Sequence, residues 1–171
     1  FVAATWAMEH IKPGDEIVVT RAEHHANLLP WQLVAEKTGA RLVFIELDTT
    51  SFNLSSPEYF INKKTKLVAV TCSSNVVGSL WDSENKQLEK LIAKAHLHGA
   101  LVLLDAAQMP LHKKINVQKW DADFVALSGH KMLGPTGIGI LFIKKKLHDS
   151  VSPYQRGGSM VHSVSFESAR W

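Results

Sequence analysis

A lysine and an aspartate stand at the ends of two apolar runs of this sequence. Lys131 closes "DFVALSGHK" (123–131), and Asp105 directly follows "ALVLL" (100–104). Both residue types are rarely buried in soluble proteins unless they are paired. An aspartate directly after buried residues is partly desolvated and needs a cationic partner to stay ionised. A partly desolvated lysine loses its proton more readily, and the free amine is a nucleophile.

Two interpretations of this pair are open from the residues alone. In the first, the lysine holds an aldehyde cofactor as a Schiff base, and the carboxylate keeps a pyridine nitrogen protonated. These are the two roles of the protein in pyridoxal phosphate catalysis. A histidine would cover the ring face, and hydroxyls, a second histidine and backbone N–H groups would hold the phosphate. In the second, Asp105 and Lys131 form a structural ion pair.

Polar clusters follow four of the apolar runs of the chain. They are "RAEHHAN" (21–27), "CSSNVVG" (72–78), "DAAQ" (105–108) and "SGHK" (128–131). Ligands of open α/β sheets bind beyond the carboxyl ends of the strands. A single polar turn is ordinary, but four clusters, three of which contain His, Asp or Lys, favour a binding site.

The elements that must position these residues are six apolar runs rich in β-branched residues, typical of strands buried on both faces. They span 16–20, 41–47, 66–71, 100–106, 123–127 and 137–145. Helical patterns between some of them predict an α/β fold with a mainly parallel sheet and helices on both faces. The tight return between the last two runs predicts one antiparallel strand near the end.

Two stretches predict helices between these strands. The first, 26–40, has Gly39 as a C-cap. The second, 83–100, places its apolar residues on one face, with Ser83 as the N-cap and Gly99 at the C-terminal end. That apolar face comprises Leu88, Leu91, Ile92 and Ala95. The opening residues are predicted to form the last turns of a helix. Residues 48–65 are predicted to form a loop with a short helix.

The composition limits the classes of protein to which this chain can belong. Of 171 residues, 46% are hydrophobic and 20% charged, so one domain with a sizeable core is expected. A net charge of +3 is too small to indicate nucleic-acid binding, and no apolar run is long enough to span a membrane. A single cysteine, Cys72, cannot form a disulfide within the chain and fits a reducing compartment. The abrupt start, and an end at "SFESARW" with no evident terminal element, predict a fragment of a longer protein.

Several motifs, in their order along the chain, resemble those of the class V aminotransferase-like pyridoxal phosphate enzymes. They are "AEHHANLLPWQ", "SSNVVG", "LDAAQ", "SGHKMLGPTGIGIL" and "RGGSMV". Within that family the sequence resembles most the cysteine desulfurases of the SufS type, which also act as selenocysteine lyases. The resemblance covers essentially the whole chain. It implies that residues 1–171 are a pyridoxal phosphate-binding large domain, without the N-terminal segment and the C-terminal small domain.

The resemblance also implies roles for the residues around the cofactor ring. Lys131 resembles the catalytic lysine that forms the Schiff base and then moves the α-proton of the substrate. Asp105 resembles the partner of the pyridine nitrogen, and Gln108 the residue that hydrogen-bonds the ring hydroxyl. His24 resembles the histidine that stacks on the ring.

Three further residues match the family's phosphate and substrate contacts. Ser128 and His130 resemble phosphate ligands, and Asn75 resembles a contact to the substrate carboxylate. No spacing suggests a metal site.

The implied reaction converts L-cysteine to L-alanine and passes the sulfur to an acceptor thiol as a persulfide, for iron–sulfur cluster assembly. The implied protein is a cytoplasmic homodimer that works with a sulfur-acceptor protein and binds neither nucleic acid nor membrane. The alternatives are another class V enzyme, such as a selenocysteine lyase acting on L-selenocysteine, an aminotransferase or an epimerase, and an inactive cofactor-domain fragment.

The remaining candidates are interpreted structurally. Cys72 is expected to be a small buried hydrophobe, because the family's sulfur-accepting cysteine lies in a later segment. His96 and His98 end a predicted helix, where they favour its C-terminal dipole. "RGGSM" (156–160) is either a loop at the rim of the site or a plain turn.

Overall fold

The computed structural model describes residues 1–81 and 86–171 of the chain. A π-helical segment, Ala3–Ala7, continues into the short helix α1, Met8–His10. The other α-helices are α2 (Leu29–Thr38), α3 (Gln87–Leu97) and α4 (Val117–Trp120). The strands are β1 (Glu16–Thr20), β2 (Arg41–Ile45), β3 (Thr65–Thr71), β4 (Leu101–Asp105), β5 (Phe124–Ser128), β6 (Gly139–Ile143), β7 (Ser163–Val164) and β8 (Ala169–Arg170).

Six of these strands form one sheet in the order β2-β1-β3-β4-β5-β6. Strands β1 to β5 are parallel, and β6 pairs with β5 in the antiparallel direction. The predicted α/β fold with a mainly parallel sheet and one antiparallel strand near the end is therefore confirmed.

Helices cover both faces of this sheet, as predicted. Successive side chains of a strand point to opposite faces, and in β3 Val68 and Val70 pack into one core while Leu67 and Ala69 pack into the other. The first core includes Leu88, Leu91, Ile92 and Ala95 of α3, the apolar face predicted from the sequence. The second includes Trp6 of the opening helical segment together with Trp31 and Val34 of α2.

The predicted helix ends are largely correct. Gly39 is the C-cap of α2 with a φ of 75°, a left-handed conformation that favours glycine. His98 is the C-cap of α3, and Gly99 follows it. Ser83, predicted to cap the start of α3, lies outside the described residues. A short 3₁₀ helix, Pro57–Phe60, occupies the predicted loop between β2 and β3.

Two features of the C-terminal third differ from the predictions. Strand β6 is not buried on both faces: it is the last strand of the sheet, and Ile140 is 51% exposed. The end of the chain also carries an element that was not expected, the antiparallel pair of β7 and β8. Its strands are two residues long and largely exposed, so they leave no apolar pattern in the sequence.

His96 has a more specific role than the predicted interaction with the dipole of α3. Its Nε2 lies 2.8 Å from Oδ2 of Asp123, which is fully buried and also accepts the backbone N–H of Val102 at 2.9 Å. This contact joins the end of α3 to the starts of β4 and β5. The described residues hold no group of three or more potential metal ligands. They also contain no helix that is both long and apolar enough to cross a membrane.

The packing of α3 predicts a large difference between two leucines of the same helix. Leu91 is fully buried in the core, whereas Leu97 is 77% exposed. We expect Leu91→Ala to lower the free energy of unfolding by about 2–5 kcal/mol, since it leaves a cavity. Leu97→Ala should change it by no more than about 0.5 kcal/mol. Urea denaturation of the two variants of the complete gene product checks this, and equal effects would contradict the packing described.

Candidate functional site

A cavity of about 540 Å³ gathers residues from six parts of the chain. They come from the carboxyl ends of β4 and β5, the segment after β1, the start of α2, strand β6 and the first three residues. Five predicted site residues line this cavity: His24, Asp105, Ser128, His130 and Lys131. Five of the seven positions that were assigned to one site from the sequence therefore lie together in space.

Strand pairing fixes the position of Asp105. It is the last residue of β4 and lies opposite Thr71 of β3 and Ala126 of β5. Its backbone carbonyl accepts the N–H of Cys72 at 2.8 Å, and its Oδ1 accepts the N–H of Ala107 at 3.0 Å. The half-buried carboxylate is thus held by the backbone and lines the cavity.

The turn after β5 positions Lys131. This residue lies in a short 3₁₀ helix, Gly129–Met132, and is half-buried. The N–H of Gly129 donates to the carbonyl of Ile138 at 2.9 Å, and the N–H of Gly134 donates to that of Gly129 at 2.9 Å. These two bonds close the loop between β5 and β6, as expected for a strand-to-strand turn.

Lys131 and Asp105 share the cavity without forming an ion pair. Within residues 1–81 and 86–171, the ion pairs involve other groups, so the interpretation of the two residues as a structural pair is not supported. Both charged groups are therefore available to a ligand.

Two histidines and a serine add polar groups to the wall. Oγ of Ser128 lies 3.1 Å from Nδ1 of His130. Nδ1 of His24 accepts the backbone N–H of Ala26 at 3.1 Å. Because that nitrogen accepts, a neutral His24 ring carries its proton on Nε2.

Two predicted site residues are not among those that line the cavity. Gln108 is half-buried and follows Ala107, and Asn75 is exposed in the turn after β3. The "RGGSM" segment (156–160) is exposed and also absent from the lining, which favours the plain turn.

Cys72 is fully buried, as expected. Burial raises the pKa of its thiol well above the usual range, and the neighbouring carboxylates of Asp105 and Glu23 raise it further. Because only the thiolate is strongly nucleophilic, this residue is unsuited to accept sulfur.

Sequence reasoning missed a hydrogen-bonded series that supports the wall of the cavity. Nε1 of Trp31 donates to Oδ1 of Asn27 at 3.0 Å, and Nδ2 of Asn27 donates to Oε2 of Glu23 at 2.6 Å. Trp31 and Asn27 both line the cavity. The three residues are spaced four apart, the spacing of side chains that meet on a helical segment, and that spacing is the signal that was available.

Burial raises the pKa of Glu23 to about 7. The hydrogen bonds from Thr20, Asn27 and Thr71 lower it, but they do not offset the loss of solvent, and the charge of Asp105 raises it further. Glu23 is therefore an acid that changes its charge near neutral pH.

Comparison with known proteins gives concordant matches. The family model for class V aminotransferases matches residues 1–171. A cysteine desulfurase of Enterobacter sp. (strain 638) is 42% identical over 165 residues, which cover 96% of this chain and 39% of that protein. A cysteine desulfurase of Escherichia coli O1:K1 is 42% identical over 99% of this chain and 41% of its own length.

Solved structures agree. The cysteine desulfurase CsdA from Escherichia coli superposes with a TM-score of 0.88 at 41% identity, over 99% of this chain and 41% of that one. The apo cysteine desulfurase of Thermococcus onnurineus NA1 matches with a TM-score of 0.88 at 42% identity, over the same shares of the two chains. The chain thus spans about 40% of the length of the relatives that it matches.

The turn that carries Lys131 predicts a steric effect at Gly129. A Cβ at this position would lie 2.8 Å from the carbonyl oxygen of Ile138 and 3.2 Å from that of Pro135. We expect Gly129→Ala to displace the turn and to lower the free energy of unfolding by about 1–3 kcal/mol. Gly158→Ala is the control, since its Cβ would meet nothing within 4 Å. Thermal or urea unfolding measures both, and equal stability of the two variants would argue against the close approach.

Proposed function

Because this chain belongs to the class V aminotransferase family, we propose that it forms the pyridoxal phosphate-binding large domain of a cysteine desulfurase. Residues 1–171 constitute that domain, and the complete protein converts L-cysteine to L-alanine and transfers the sulfur to a thiol. The observation that carries the proposal is the cavity where Lys131, Asp105 and His24 meet, in a chain 42% identical to cysteine desulfurases.

The groups around the cavity fit pyridoxal phosphate. The cofactor needs an amine for its aldehyde, an anion for its ring nitrogen and hydrogen-bond donors for its phosphate. Lys131 and Asp105 meet the first two needs, and neither is committed to the other. Ser128 and His130 supply a hydroxyl and an imidazole for the phosphate, and His24 supplies an aromatic ring.

The chemistry that the bound cofactor supplies is an electron sink for the negative charge on the α-carbon of the substrate. Lys131 would hold the cofactor through Nζ and could take the α-proton of the substrate at the same atom. Asp105 would keep the ring nitrogen protonated, so that the cationic ring can take up negative charge, and its carboxylate is already fixed for this role. His24, held at Nδ1 by the Ala26 N–H, would lie against the ring face.

Contacts at the edges of the site complete the proposal. Gln108 hydrogen-bonds the ring hydroxyl, and Asn75 binds the substrate carboxylate. The sulfur passes to a thiol other than Cys72, because that residue is fully buried. A sulfur-acceptor protein then takes the sulfur for iron–sulfur cluster assembly. The complete protein acts as a homodimer in the cytoplasm.

Attachment of the cofactor gives the most direct test of this proposal. We expect borohydride reduction of the complete gene product with pyridoxal phosphate to label Lys131, as identified by peptide mass spectrometry. Lys131→Ala should abolish this label, whereas Lys145→Ala, which changes an exposed lysine, should leave it intact. Asp105→Asn should weaken cofactor binding about tenfold or more, because it removes a charge-assisted hydrogen bond. Labelling confined to surface lysines would overturn the proposal.

Substrate choice is tested by product analysis. We expect the complete, cofactor-loaded protein to release alanine from L-cysteine in the presence of a thiol, and Lys131→Ala to remove this activity. Parallel assays with L-selenocysteine and with an amino acid and keto acid pair distinguish the other activities of the family. Transamination without alanine formation from cysteine would replace the desulfurase with an aminotransferase. A loaded protein inactive on every substrate would indicate a cofactor-binding remnant.

A further inference from the structure

Glu23 is an acidic residue with no part in the chemistry just described, yet it lies against the candidate site. Its Oε1 accepts the hydroxyl of Thr20 at 2.6 Å and the backbone N–H of Thr71 at 2.9 Å, and its Oε2 accepts Nδ2 of Asn27 at 2.6 Å. Residue 23 as a whole is half-buried, but all three partners are at least 95% buried. The carboxyl group thus joins the ends of β1 and β3 to the turn that carries Asn27.

The direction is fixed for the hydrogen bonds that Asn27 and Thr71 donate to Glu23. An indole N–H can only donate, so Trp31 sets the orientation of the Asn27 amide and turns its NH₂ toward Glu23. The backbone N–H of Thr71 can also only donate. The contact with Thr20 is the one that can reverse, because a hydroxyl both donates and accepts. The proton of a neutral Glu23 therefore lies on Oε1, directed at Oγ1 of Thr20.

A short path connects this carboxyl group to Asp105. Thr71 donates its N–H to Glu23 and is paired with Asp105 across β3 and β4. Its hydroxyl lies 3.3 Å from the carbonyl of Asp105 and 2.9 Å from that of Ser73. Among the residues that the structure describes, the titratable groups that face Glu23 are Asp105 and the thiol of Cys72. Arg21, close by in sequence, pairs with Glu46 instead.

We propose that Glu23 is a positioning residue of the candidate site, which holds the turn carrying His24 and Asn27 and sets the charge beside Asp105. This inference rests on the proposed function, since the charge beside Asp105 matters to a cofactor whose ring nitrogen is held there. An ionised Glu23 adds a second negative charge near a protonated ring and strengthens its binding. A neutral Glu23 keeps the turn in place and removes that charge.

The protonation of Glu23 is tested first without cofactor, on the complete gene product. The pKa of Glu23 is raised from 4.5 to about 7 by folding, so the folded state binds the proton more tightly than the unfolded state. The stabilisation is then full below about pH 4.5 and is lost as the pH rises to about 7. We expect the melting temperature of the wild type to fall over this range relative to that of Glu23→Gln. Glu46→Gln, at a half-exposed position, should follow the wild type.

The same variants are then titrated with pyridoxal phosphate. The affinity of the wild type relative to Glu23→Gln should rise severalfold between pH 6 and pH 8, as Glu23 ionises. Glu46→Gln should behave as the wild type, and the pH profile of the absorbance of bound pyridoxal phosphate should differ between the wild type and Glu23→Gln. Glu23→Asp keeps an ionisable group and should retain the pH dependence, which provides the comparison if Glu23→Gln does not fold.

The outcomes separate the two proposals. Parallel stability and affinity profiles for the wild type and Glu23→Gln overturn the role of Glu23, even when Lys131 carries the cofactor. If no variant binds pyridoxal phosphate, the proposed function fails and the role of Glu23 in a cofactor site fails with it. The cofactor-free melting profiles then still decide whether Glu23 carries a buried proton.

Discussion

The register between neighbouring parallel strands is the constraint on which the rest of the site depends. Thr71 pairs with Asp105, and Asp105 pairs with Ala126, so β3, β4 and β5 end at the same edge of the sheet. A slip of one residue would turn every side chain of a strand to the opposite face. The side chain of Asp105 would then point away from the cavity. Lys131, which follows Ala126 in the chain, would no longer lie near that carboxylate.

Carboxylates at the amino and carboxyl ends of the parallel strands have different partners. At the amino end of β5, Asp123 is fully buried and surrounded by His96 at 2.8 Å, Lys144 at 3.4 Å and Lys146 at 3.5 Å. At the carboxyl end, Asp105 forms no ion pair within the described residues, and its carboxylate is held by a backbone N–H. The carboxylate of Asp123 is thus surrounded by basic side chains of the chain itself. Among the described residues Asp105 has no such partner, and it lines the cavity.

The sequence predicted the fold well because the parallel strands are buried on both faces. In β1 and β3 nearly every residue is buried, so an uninterrupted apolar run marks each strand. The same signal is misleading for β6, whose apolar residues lie at an edge of the sheet. The two-residue strands β7 and β8 carry no pattern, because their side chains are largely exposed.

The strands also explain which residues of the candidate site could be predicted from the sequence and which could not. His24, Asp105 and Lys131 were identifiable because each follows a strand, and parallel strands bring their carboxyl ends to one edge. Gln108 and Asn75 do not line the cavity, although they follow their strands at the same distances as Lys131 and His24, so position after a strand does not by itself decide which side chains line it. Glu23 was missed because its importance comes from burial by Thr20, Thr71 and Asn27, and those contacts depend on the packing of β1 against β3.

The most direct measurement of the central claim is a crystal structure of the complete gene product with pyridoxal phosphate. We expect continuous electron density between Nζ of Lys131 and the aldehyde carbon of the cofactor. We also expect the ring nitrogen within about 2.7–2.9 Å of the carboxylate of Asp105, the distance of a charge-assisted hydrogen bond. A cofactor joined to another lysine, or one whose ring nitrogen faces away from Asp105, would contradict the central claim.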